Sequence, residues 1–113
     1  MDSLELTDAA CAAVQKTPNR VSLADIEGKI AAEYIFTADN AIGEAPAVDS
    51  LKVLTICIIV MQNGFTVIGK SAPADANNFN AELGAKFARE DAVRQIWPLE
   101  GYSLRDRLAA GRA

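Results

Sequence analysis

Hydrophobic positions recur along this chain with two spacings, and each change of spacing marks a change of element. Val53 to Val60 is apolar at both parities, Gln62-Asn63-Gly64 interrupts it, and Phe65 to Ser71 alternates at period two. Asn-Gly between such runs predicts a β-hairpin, because the tight turn needs the positive φ that Asn and Gly tolerate. The first strand is predicted over 51–61. Being apolar on both sides, it belongs at the centre of a sheet with both faces covered, by helices or by another subunit.

Upstream, Thr7 reads as the N-cap of a short helix over 8–16, with an acidic first turn and a basic last turn. Ser22 and Asp25 form a capping-box pattern that opens a second helix from Leu23 to about Lys29, with Leu23, Ile26 and Ile30 on one face. From Ile30 to Thr37, Tyr34 and Phe36 alternate with Glu33, Ile35 and Thr37, which predicts a strand; continuation of the helix to about Phe36 stays open. Residues 38–50 carry Asp39, Asn40, Gly43, Pro46 and Asp49, a loop of a length that often serves function.

Downstream, Asn78 or Asn80 caps the longest helix, predicted over 81–97. Leu83, Phe87 and Ile96 mark its apolar side. Gly84, Ala88 and Ala92 form a row of small residues that would let a strand or a symmetry-related helix come close. Glu82, Lys86, Glu90 and Arg94 alternate in sign at intervals of four, as on a solvated face supported by ion pairs. Trp97-Pro98 is expected to end the helix, and Gly101 to allow a reversal that packs Tyr102 and Leu104 back. One more turn is expected over 103–108, with fraying at 1–5 and 109–113. The sum is a single α+β domain over 1–113: a small, mainly antiparallel sheet with a central hairpin, two short N-terminal helices and one long C-terminal helix packed on the sheet.

Composition narrows the function more than it names one. The 113 residues carry 11 basic and 15 acidic side chains, a net charge of -4, which disfavours general nucleic-acid binding. The N-terminus lacks a signal-peptide pattern and the longest apolar run is too short for a bilayer, so the reading is cytoplasmic, with no membrane partner. Burial is marginal at this size, and a homo-oligomer is expected. Cys11 and Cys57 lack metal or redox spacing and read as buried free thiols. There is no histidine, which removes the commonest general base and metal ligand, so no enzyme, catalytic residue, metal or cofactor is expected.

Other chemistry is weak. Gly64 and Gly69 make no phosphate loop, since no Gly-Lys-Ser/Thr and no helix start follow. Lys70 and Ser71 are adjacent strand residues and diverge. Glu90-Asp91, and Asp106 beside Glu100, read as solvated carboxylates. One combination has the parts for nucleotide capture: Phe65 or Tyr102 to stack on a base, with Arg89, Arg94 or Arg105 to meet phosphate.

Four blocks carry a resemblance: Asn63-Gly64-Phe65-Thr66-Val67-Ile68-Gly69-Lys70-Ser71-Ala72, then Asn78-Phe79-Asn80-Ala81-Glu82-Leu83-Gly84, then Ala88-Arg89-Glu90-Asp91-Ala92, and Ile96-Trp97-Pro98-Leu99-Glu100-Gly101-Tyr102-Ser103-Leu104. Together with 17–27 they resemble a family of small tailed-bacteriophage and prophage proteins over about residues 17–108. Lys70 departs from the Glu more usual at its position. The resemblance implies an accessory protein in an infected or lysogenic bacterial cell, and carries over no catalytic residue. By analogy it implies an oligomeric sponge for a cyclic nucleotide or other small anionic immune signal. The alternative is an interaction protein that blocks a host protein through 38–50 and the exposed helix.

Overall fold

The computed structural model describes residues 2–112. Three strands, β1 (Ile30–Thr37), β2 (Thr55–Met61) and β3 (Thr66–Ser71), form an antiparallel sheet in the order β1-β2-β3. Three α-helices, α1 (Ser3–Ala13), α2 (Leu23–Glu27) and α3 (Ala81–Ala109), gather on one face. The α+β architecture read from the sequence is the one observed, and residues 30–37 are strand, not helix.

The hairpin forms at Asn63-Gly64, but with different turn chemistry. Only Gly64 has positive φ, at 89°, and Asn63 does not. Gly64 N donates to Met61 O and Met61 N to Phe65 O, so the loop has three residues and closes on a left-handed glycine. β2 also starts later than the apolar run suggests: Asp49–Val53 winds as a 3-10 turn, as does Ala38–Ala41, and pairing begins at Thr55.

Strand alternation sorts side chains onto two faces. Thr55, Cys57, Ile59, Met61, Val67 and Gly69 face the helices and are buried. A register shift between Ile30 and Ala32 puts Ala32, Tyr34 and Phe36 on the opposite face. Pairing there makes three rows across the sheet: Ala32-Val60-Thr66, Tyr34-Ile58-Ile68 and Phe36-Ile56-Lys70. Among the described residues no helix covers these rows. The expectation that β2 is covered on both faces therefore holds for one face within a single chain.

The core joins the covered face to Ala88, Ala92, Val93 and Ile96 of α3, Leu23 and Ile26 of α2, and Leu4 of α1. The small-residue row of α3 is what touches the sheet. A Cβ at Gly69 would overlap the Ala88 carbonyl oxygen and the Ala92 amide nitrogen, and one at Gly84 would sit 2.6 Å from Thr55 Oγ1. Leu83 and Phe87, expected on the buried side, are about half exposed, because the stripe that meets β3 is the one without bulk.

Four further expectations are corrected. α1 starts at Ser3, capped by Asp2 whose Oδ1 accepts from Glu5 N, and ends at Ala13; Thr7 lies inside it with its hydroxyl on Ser3 O. Residues 3–5 are thus helical, and Leu4 is buried. Cys11 is exposed, while Cys57 is buried as expected. α3 does not stop at Trp97-Pro98 but runs through to Ala109, so Gly101 makes no reversal and Tyr102 stays in solvent. Pro98 removes the amide that would bond the Arg94 carbonyl, at about 3 kcal/mol. Both Arg94 and Pro98 are exposed, so water reaches the freed oxygen. Contacts on the other side offset the rest: Trp97 Nε1 donates to Val21 O at 2.9 Å, and Lys29 pairs with Glu100 one turn later.

No ion pair links successive members of the row Glu82, Lys86, Glu90 and Arg94 among the described residues. The N-terminal segment is joined instead by Asp8, whose Oδ1 accepts from Arg20 Nη1 at 2.8 Å and from Leu23 N at 3.1 Å. The Arg20 hydrogen bond, with that from Leu23 N, holds the Asp8 carboxyl below the usual aspartate range. The Ser22 backbone and hydroxyl do the same for Asp25 in a complete capping box.

Gly69→Ala should cost about 3 kcal/mol or more in urea unfolding, since the added methyl meets backbone on α3 that cannot turn aside. Asp8 binds its proton more weakly folded than unfolded, so its stabilisation is present above the ordinary aspartate value and disappears as pH falls through the folded one. The urea midpoint should therefore drop below pH of about 4, and Asp8→Asn should flatten that drop.

Candidate functional site

The five candidate residues do not converge within one chain. An α-helix turns about 100° per residue, so Arg89 and Arg94, five apart, leave α3 about 140° apart. Arg89 turns toward β1 and α2, with Nε donating to Glu33 Oε1 at 2.8 Å and Nη1 3.8 Å from Glu27 Oε1. Its charge is committed to holding three elements together. Arg94 Nη2 donates to Ser3 Oγ at 3.0 Å, which ties the start of α1 to α3.

Phe65, Tyr102 and Arg105 lie at the other end, where α3 overhangs the hairpin. About 43 Å long by its residue count, α3 outreaches a sheet roughly half that length. Its distal half rests on residues 20–29 along one side only. On the other side a cleft of about 210 Å³ opens between hairpin and helix, lined by Met61, Phe65, Ile96 and Leu99, with Asn63 and Ser103 as polar groups. Asn63 Oδ1 accepts from Phe65 N and fixes the base of that ring. Phe65 is 54% exposed and Tyr102, one turn past Leu99, is 72% exposed.

The corner's electrostatics are mixed. Glu100 lines the cleft but is engaged by Lys29. Arg105 is exposed and, among the described residues, has no carboxylate within ion-pair distance. Chemically, the cleft offers the Phe65 ring, an amide and a hydroxyl, whereas Arg105, nine residues past Ile96, leaves α3 on the side away from it.

Two features escaped the sequence reading. A groove of about 170 Å³ lies at the start of α3 between Pro73, Phe79, Leu83 and Phe87; the spacing of Phe79, Leu83 and Phe87 by four was the available signal. The outer edge of β3 is capped by α3: Asp91 Oδ2 accepts from Lys70 N at 2.9 Å, and Gln95 Nε2 donates to Ile68 O at 2.7 Å. Nothing in the sequence spacing points to that. β1's outer edge receives no such side-chain bond among the described residues. The Cys57 thiol is pushed up by burial, and by Glu33, against the lowering influence of Arg89. Among the described residues no three His, Cys, Asp or Glu are grouped to hold a metal ion, and no helix is long and apolar enough to cross a membrane.

A three-stranded antiparallel sheet backed by one long helix that carries the Trp-Pro-Leu-Glu-Gly-Tyr block defines a small α+β protein. The chain belongs to the phage protein (N4 Gp49/phage Sf6 gene 66) family, whose model matches residues 21–108. No curated protein and no solved structure matches it. The match takes in the sheet, the cleft and the ion pairs of Arg89, and begins after α1.

Arg89→Ala should lower stability by about 1 kcal/mol, because it leaves Glu33 and Glu27 without their cation. Arg105→Ala should change it by less than about 0.5 kcal/mol. Urea unfolding of the two variants distinguishes the structural arginine from the free one.

Proposed function

We propose that this phage accessory protein works without catalysis in the cytoplasm of the bacterial host, as a homo-oligomer that captures a small anionic, nucleotide-like immune signal. The observation behind this reading is the cleft beside Phe65, whose ring is more than half exposed, with Tyr102 and the unpaired Arg105 exposed on the same distal half of α3. Two large rings left in water cost solubility unless they meet a ligand. A base stacks on Phe65 or Tyr102, and a phosphate takes the Arg105 fork. Arg89 and Arg94 act here as structural residues that hold β1 and α1 in place.

A second reading has its own observation. Val48 is exposed in the 38–50 loop, and Leu83 and Phe87 are half exposed beside the groove at the start of α3. Those apolar groups suit a host protein bound through the loop and the exposed helix.

Calorimetry against cyclic di- and trinucleotides and cyclic ADP-ribose variants tests the first reading. Binding is expected, and Phe65→Ala and Arg105→Ala should each weaken it by about tenfold or more. No heat across the whole panel would remove the capture reading.

A further inference from the structure

The sheet face turned away from the helices is bare, and it is not built for water. Of the nine residues in its three rows, seven are apolar, one is Thr66 and one is Lys70. Lys70 has no ion-pair partner among the described residues. Tyr34 and Ile68, on the two outer strands, are 58% and 57% exposed, with Ile58 between them. An antiparallel sheet with a wet face normally puts polar residues there. The chain also exposes 7357 Å² in all. A monomer of 12.0 kDa normally exposes about 6,000 Å², so the excess is roughly 1,400 Å². That is more than the ~800 Å² each partner buries in an ordinary stable interface.

We propose that this face is the contact between two copies of the chain, stacked sheet on sheet about a twofold axis parallel to β2. Aligned sheets pack about 10 Å apart with strands within about 30° of each other. The axis lays β3 of one copy over β1 of the other. Ile68 then covers the partner's Tyr34, and Lys70 reaches the ring face of the partner's Phe36, where a cation is attracted. Ile58 meets its own copy near the axis. A twofold perpendicular to the strands would set β3 over β3 and leave the lysine without an aromatic partner. The contact uses none of Phe65, Tyr102 or Arg105, so it stands or falls apart from the ligand reading.

Sedimentation equilibrium of the full chain across the micromolar range should show a dimer. Ile58→Glu and Ile68→Lys should each raise its Kd by at least about tenfold with the far-UV circular dichroism unchanged; Ile68 is exposed enough that its variant keeps the fold. In a Cys11→Ser background, a short bismaleimide should join Tyr34→Cys chains to Ile68→Cys chains and should not join Tyr34→Cys chains to one another. A wild-type monomer throughout the range would overturn the proposal. So would variants that dimerise as tightly as wild type, which would place the contact elsewhere, for instance at the edge of β1. Self-joining of Tyr34→Cys chains would overturn the axis.

Discussion

At Gly69 the backbone of β3 lies against the backbone of α3 with no side chain between them, and the position of everything else follows from that approach. A glycine on the strand faces Ala88 and Ala92 on the helix, and Gly84 repeats the arrangement over Thr55. Close packing leaves a helix seated this way little freedom to slide or roll. Because the small residues occupy the sheet-facing stripe, the bulky ones are displaced to either side. Val93 and Ile96 go inward to meet Leu4, Leu23 and Ile26, while Leu83 and Phe87 go outward to the groove.

Once α3 is seated, its length determines where the chemistry sits. The helix passes the end of the hairpin and continues through Pro98, which lies on the exposed side while Trp97 and Glu100 hold the other. The overhang therefore has a supported flank, against residues 20–29, and an unsupported one bearing Leu99 and Tyr102. The open cleft at Phe65 is a by-product of that asymmetry. Membership of a phage protein family fits an accessory role.

Local signals were legible where local physics decides. The Ser22/Asp25 box, the Asn63-Gly64 hairpin and the alternation of 30–37 need only neighbours in sequence, and each formed. Pro98 misled because its cost is local and its compensation comes from Val21 and Lys29, some seventy positions away. Arg89 misled for the same reason: a free-looking arginine on a helix is bound to Glu33 across the fold. Of the candidate site, Phe65, Tyr102 and Arg105 share one end and the other two arginines do not, a distinction set by position along α3.

The two margins of the sheet are treated unequally. Asp91 occupies the outward amide of Lys70 and Gln95 the outward carbonyl of Ile68 on β3, while the outer edge of β1 receives no side chain among the described residues. A ribbon that can accept a neighbour on only one margin cannot lengthen indefinitely: joining through β1 consumes the open margin of both molecules, and the ends then presented are the blocked ones. Within one sheet layer, edge pairing through β1 therefore ends at two chains.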